Sequence, residues 1–303
     1  MPSQILEITN SGCALKLRHG FLNVYEGKEL LGKVVLEDLL CVLISVPGCL
    51  VSTNLMDKLA SLNVPISICG EGYLPSSITL PVVGKGRQFQ IMRAQALITE
   101  PMRKRCWQAI VKSKLTNQAN LLEQLGVESK RIRLLVKKTR SGDPENCEAQ
   151  GARVYWQKLF GKDFRRDQSA TNLNVALNYS YTVLRSCMAR AVIAAGLHPS
   201  FSLHHRNPRN PINLVDDLME PFRPICDSLV NINFDCDFAG ELSIENKKTL
   251  ASIPIIPLVI SEETSPLSLA CVRMARSFAG ILLNDKEKLE LPNLPTQIQV
   301  RAI

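Results

Sequence analysis

Aromatic residues make up only 5% of this 303-residue chain, too few for the stacking platforms that read single-stranded nucleic acid. No CxxC pair occurs, although there are 10 cysteines. Scattered from Cys13 to Cys271 among mostly apolar neighbours, they read as reduced core residues of a cytosolic protein, not as zinc ligands or a disulfide framework. No stretch approaches the roughly eighteen uninterrupted apolar residues of a membrane span, so no membrane partner is expected. The N-terminus, MPSQILEITN, lacks the basic segment and apolar run of a signal peptide. There is no internal repeat and no low-complexity tract. The GKG at 84–86 is not followed by the Ser or Thr of a phosphate loop and reads as linker.

What is present is positive charge. Thirty-six Lys and Arg against 28 Asp and Glu give a formal +8 and a pI of about 9.0, which suggests a polyanionic partner. Three clusters carry it: Arg103, Lys104, Arg105, Lys112 and Lys114; then Lys130, Arg131, Arg133, Lys137, Lys138 and Arg140; then Lys162, Arg165 and Arg166. A solubility surface interleaves both signs, and the second cluster contains no acid, so phosphate contact with a DNA duplex is the better reading.

The length suits two unequal domains. Short β-prone runs (QILEIT, CALKLR, FLNVY, KVVLEDLLCVLISV) separated by turns predict a small N-terminal β-sandwich or sheet domain over 1–75. It carries one helix after Ser52 and Thr53, with Leu55, Met56, Leu59 and Leu62 on one face. A Pro/Gly-rich linker is expected at 76–86. From 87 to 303 the period changes to 3.6, predicting a larger all-α domain. Helices are expected at 87–99, 103–125, 128–140, 143–160, 170–195, 212–231, 244–252 and 266–283. The fold class is thus α+β with two domains.

Residues 196–224 concentrate titratable chemistry: His198, His204 and His205, then Asp216, Asp217 and Glu220. Imidazole nitrogen with carboxylate oxygens suits magnesium or manganese. In a helix, Asp217 and Glu220 would leave the same face. Two carboxylates about 4 Å apart repel by roughly 4 kcal/mol at an effective dielectric of 20, a cost that a cation relieves. Equally, acids at a helix start can simply complement its dipole. In the helix expected at 143–160, Glu145 falls in the first turn, while Glu148 shares an inward stripe with Ala152, Tyr155 and Leu159. A carboxylate there must pair with an arginine or bind metal.

Several long motifs in order, NVPISIC, WQAIVKSKLTNQANLL, CEAQGARVYW, LNYSYTVLR, GLHPSFSLHHRN and NLVDDLMEPFRP, resemble the CRISPR-associated adaptation integrase in the version found in type II systems. The likeness covers essentially the whole chain. It implies that Glu148, His205 and Glu220 are the catalytic residues and the ligands of a Mg2+ or Mn2+ ion, with Asp217 as a supporting acid. By motif position His204 points elsewhere, and an exchange of roles between the two histidines is left open. The resemblance further implies joining of the 3′-hydroxyl ends of a short DNA duplex to a CRISPR repeat by phosphodiester transesterification. It also implies a homodimer formed through the β-domains, two such dimers bridged by a dimer of a small adaptation partner protein, the type II effector nuclease as a further partner, and a place in the prokaryotic cytoplasm. Two alternatives stay open: a metal-dependent endonuclease on branched DNA without productive joining, and a non-catalytic DNA-binding scaffold.

Overall fold

The structure is a computed structural model that describes residues 4–70, 75–79, 81 and 87–294. The chain divides into two compact units, Met1–Gly86 and Arg87–Ile303. In the first, strands β1 (Gln4–Ile8), β5 (Leu39–Ile44), β7 (Ile66–Cys69) and β8 (Pro75–Ile78) form one sheet in that spatial order. Strands β4 (Glu29–Val35), β3 (Phe21–Glu26), β2 (Cys13–Arg18) and β6 (Leu50–Val51) form a second. Both sheets and helix α1 (Thr53–Ser61) contribute to one core, with Leu15, Leu22, Val42, Ile44, Leu55 and Leu59 buried in it.

Two details differ from the sequence expectation. Met56 is exposed, because the inward face of α1 is only Leu55 and Leu59. Residues 76–78, expected in the linker, belong to β8, which pairs antiparallel with β7, and the Thr79 hydroxyl accepts from the Ile66 amide. Residues 80 and 82–86 of the expected linker lie outside the described residues.

The second unit is built around α3 (Glu100–Gln124), against which α4 (Lys130–Lys138), α5 (Cys147–Phe160) and α8 (Arg223–Asn233) pack. Helices α2 (Gln88–Ala96), α6 (Asn174–Ala194), α7 (Asn213–Met219), α9 (Ile244–Ala251) and α10 (Leu267–Leu282) complete it. The expectation of an all-α domain needs one addition. Strands β9 (Pro257–Ile260), β10 (Glu263–Pro266) and β11 (Pro292–Asn293) form a three-stranded antiparallel sheet. Its hairpin turns on Ser261 and Glu262, both at positive φ, where the sequence offers no Gly or Asn to signal a turn.

The helix expected over 212–231 is interrupted. Pro221 has no N–H to give to the ladder, so Glu220–Phe222 form a 3-10 turn between α7 and α8. Asn117 of α3 donates to the Pro221 carbonyl at 2.9 Å, tying that turn to the central helix. Helix α5 begins at Cys147, four residues later than expected, because Asp143 and Asn146 hold its free amides. Asp143 accepts from the amides of Cys147 and Glu148 at 2.9 and 3.0 Å, and Asn146 accepts from Ala149 at 3.3 Å. Glu148, not Glu145, is therefore the acid of the first turn.

Gly151 sets how closely α5 approaches α3: a Cβ there would fall 2.2 Å from Cδ2 of the fully buried Leu115. Gly151→Ala is expected to destabilise the protein by about 1–3 kcal/mol, the usual cost of overpacking. Urea unfolding would show this as a lowered midpoint; an unchanged midpoint would mean that the α3–α5 contact is slack.

Candidate active site

The histidine loop is fastened from several helices. Gln95 of α2 accepts from the His198 amide and donates to the carbonyls of His198 and Phe201, each at 2.9 Å. Arg103 of α3 donates to the Leu203 carbonyl at 2.7 Å. Asn213 of α7 donates to the carbonyls of Asn207 and Asn210, and Arg185 and Asn210 both bind Asp216.

The strongest anchor is Asp217. It is 0% exposed and accepts from the backbone amides of Leu203, His204 and His205 at 2.6, 2.9 and 3.1 Å. The same carboxylate lies 2.6 Å from His205 Nδ1. That hydrogen bond raises the His205 pKa above the ordinary histidine value, against burial, with Glu220 adding to it. With Nδ1 donating to Asp217, the neutral ring presents Nε2 as its free lone pair, the usual way a carboxylate orients a histidine ligand. The His205 side chain is 44% exposed. His204 goes elsewhere: its ring stacks on Trp107 of α3, centroids 4.2 Å apart and planes parallel. Burial lowers its pKa. His198 is a loop residue whose Nδ1 accepts from the Ser200 amide.

Glu148 and Glu220, from α5 and the 3-10 turn, meet across a side chain that sequence reasoning placed on a basic surface. Lys114 is 6% exposed, and its Nζ bonds to Glu148 Oε1 and to Glu220 Oε2. Burial works to lower its pKa, but Glu220 and Glu148 outweigh burial and hold it above the ordinary lysine value. Glu220, 4% exposed, also lies 2.8 Å from Nε of Arg223. Burial pushes its carboxyl up, while Arg223 and Lys114 together bring it down to about 2. The signal for Lys114 was in the sequence: Trp107, Ile110, Val111, Lys114, Leu115 and Gln118 recur at helical spacing on a stripe that is otherwise buried.

The two acids expected to share a face thus do different work. Asp217 faces the loop, and Glu220 faces Lys114. Among the described residues no three His, Cys, Asp or Glu side chains converge closely enough to enclose a metal ion as they stand, and the Lys114 ammonium sits between the two glutamates. The donors nevertheless fit a hard divalent ion in kind: two carboxylates, and an imidazole nitrogen fixed from behind by Asp217.

Behind Glu220 the polar network continues inward. The Arg223 guanidinium lies over the Tyr181 ring at 4.6 Å. The Tyr181 and Tyr155 hydroxyls donate to Asp227 at 2.5 and 2.9 Å. Burial pushes the Asp227 carboxyl up, against these two bonds, to about 7.

The basic clusters separate by occupation. Arg103 is paired with Glu100, Arg133 with Glu123 and Asn120, and Arg166 donates to Asn174 and Asn178 beneath the surface. Lys104 and Arg140 are exposed but paired with Glu100 and Glu145. Arg105, Lys130, Arg131, Lys137, Lys138 and Arg165 are exposed. On α4, Ile132 and Leu135 turn inward, leaving Lys130, Arg131, Lys137 and Lys138 to solvent.

Solved structures share this architecture. A casposase bound to integration product superposes with a TM-score of 0.78 at 19% identity, covering 94% of this chain and 92% of that one. A Cas6-RT-Cas1–Cas2 complex matches with a TM-score of 0.72 at 17% identity, covering 99% of this chain and 36% of that one. At such identities the likeness establishes the fold alone. The family comes from sequence: the model of CRISPR associated protein Cas1 matches residues 6–234. The CRISPR-associated endonuclease Cas1 of Neisseria meningitidis serogroup C (strain 8013) is 35% identical over 265 residues, covering 86% of this chain and 87% of that protein. The chain belongs to the Cas1 family of CRISPR adaptation proteins, in agreement with the resemblance of its motifs.

Two expectations follow from the geometry. Asp217→Ala removes the acceptor of three loop amides, so hydrogen exchange at Leu203, His204 and His205 should accelerate at least tenfold while helix content is kept; unchanged protection would show that the loop is held by its other anchors. The second concerns Asp227. Folded, it keeps a proton up to about pH 7 that an unfolded aspartate loses near pH 4. The folded state therefore binds more protons in that window, and Asp227 costs stability progressively as pH rises through it. Asp227→Asn should remove this contribution, flattening thermal stability between pH 5 and 7 relative to wild type; parallel profiles would refute the assignment.

Proposed function

We propose that this chain joins the 3′-hydroxyl ends of a short DNA duplex to a CRISPR repeat by phosphodiester transesterification, at a site formed by Glu148, His205 and Glu220. The observation that carries this reading is the meeting of Glu148 and Glu220, from segments far apart in sequence, on one buried cation beside a histidine whose back nitrogen is tied to Asp217. A Mg2+ or Mn2+ ion held by these three residues would polarise the phosphoryl oxygen and stabilise the attacking and leaving oxygens. Asp217 keeps the proton on Nδ1 of His205, so that Nε2 is offered as a base or ligand. Lys114 and Arg223 keep Glu220 charged at the bottom of the site, and Lys114 also pairs with Glu148.

The exposed cations Lys104, Arg105, Lys130, Arg131, Lys137, Lys138, Arg140 and Arg165 supply contacts to duplex phosphates without sequence selectivity. Arg103, Arg133 and Arg166 serve the protein's own fold in this reading. The β unit, taken as the dimerisation domain, supports that role with Leu30, Leu31 and Val35 exposed along edge strand β4. In this reading two such dimers are bridged by a dimer of a small adaptation partner, with the type II effector nuclease as a further partner in the prokaryotic cytoplasm. No helix among the described residues is long and apolar enough to cross a membrane.

A manganese-dependent joining assay tests the reading. The substrates are a labelled short duplex with free 3′ hydroxyls and a supercoiled plasmid carrying a repeat. Wild type should join them, with the partner protein added if needed. Glu148→Ala, His205→Ala and Glu220→Ala should lose joining by about a hundredfold or more, with duplex affinity within about threefold of wild type. Nicking without joining would favour the endonuclease alternative; equal loss of joining and duplex binding would mean that the three residues are structural.

A further inference from the structure

We infer that Lys114 is a resident counter-ion which a divalent cation displaces: its ammonium holds Glu148 and Glu220 together when no metal is bound, and withdraws when one enters. The inference rests on the metal-site reading above. Its ground is geometric. Lys114 is 6% exposed, on the inward stripe of α3, and its Nζ bonds to one oxygen of each glutamate. That is the position a shared cation would take. Two carboxylates that each bring one oxygen to the same cation, Glu220 buried and Glu148 partly so, repel each other unless a cation lies between them, and of the two Arg223 reaches Glu220. A lysine suits the task because its charge sits on a flexible stem and can retract, whereas a planar guanidinium would lock onto both carboxylates.

Displacement has a thermodynamic consequence. In wild type, metal binding must give up the lysine pairing, so part of the metal's stabilisation is offset. Without the lysine the apo protein is weaker and binds metal more tightly. The stabilisation by a ligand grows as RT ln(1 + [L]/Kd), so the metal-induced rise in Tm should be larger in a variant lacking the cation. A lysine that neither yields to the metal nor opposes it would give the same increment with or without it, apart from a uniform loss.

The experiment measures Tm of the full-length protein in EDTA and in excess MnCl2, for wild type, Lys114→Met and Lys114→Arg. Lys114→Met should melt about 10 °C below wild type in EDTA, the scale expected for breaking a buried ion pair in a unit of this size. Manganese should recover most of that loss. Lys114→Arg keeps a cation between the glutamates and should fold in EDTA, with a manganese increment no larger than that of wild type. The ordering of the increment, Met above Lys and Lys at or above Arg, supports displacement. If Lys114→Met does not fold in either condition, the Arg variant decides: an increment above wild type overturns the proposal. Equal increments in all three proteins overturn the proposal and leave the metal site standing. No manganese response in any of them overturns the metal-site reading and this inference with it. Titration of Mn2+ by electron paramagnetic resonance gives an independent reading, with about tenfold tighter binding expected for Lys114→Met.

Discussion

The helical unit is organised by the need to neutralise carboxylates that its own fold buries. Glu220 is buried at the turn between α7 and α8, and Glu148 meets it from α5 with its side chain partly exposed, so the pair calls for a cation between them. Lys114 answers both, and Arg223 answers Glu220 a second time. From that centre the alternation of charge continues to Tyr181, Tyr155 and Asp227. The position of α3, α5 and the 3-10 turn relative to one another follows from this arrangement as much as from apolar packing. Gly151 permits the approach that brings Glu148 within reach.

The histidine loop is a separate construction that converges on the same place. It has no regular secondary structure to hold it, so side chains do the holding: Gln95, Arg103, Asn213 and above all Asp217. A buried aspartate that accepts three successive amides and a ring nitrogen gives a loop the definition usually found in a helix. Stacking on Trp107 uses the neighbouring imidazole, His204, as packing, whereas the His205 ring is tied to Asp217.

Much of this was legible in the sequence. Alternating short strands announced the N-terminal sheets, helical periodicity announced the larger unit, and the motifs announced the family. What was not legible has particular physical causes. Lys114 follows Arg103, Lys104, Arg105 and Lys112 along α3 and so reads as part of a basic patch, although it lies on the helical stripe that the structure buries. Asp217 and Glu220 are three residues apart, yet their carboxylates find different partners, the histidine-loop amides for Asp217 and Lys114 for Glu220. The hairpin of β9 and β10 turns on Ser261 and Glu262 without glycine, and the late start of α5 depends on Asp143 and Asn146 adopting left-handed conformations. Charge counts also could not separate cations that serve the fold, such as Arg103 and Arg166, from those left to solvent.

The most direct test of the central claim, that Lys114 and the glutamates form one energetic unit, is a double-mutant cycle between Lys114→Met and Glu148→Gln. It is read by urea unfolding in the presence of EDTA. The account predicts that the two changes are strongly non-additive, with a coupling of about 2 kcal/mol or more, because Lys114→Met leaves two glutamates facing each other without their shared cation, a cost that neutralising Glu148 relieves. Additivity within about 0.5 kcal/mol would contradict it.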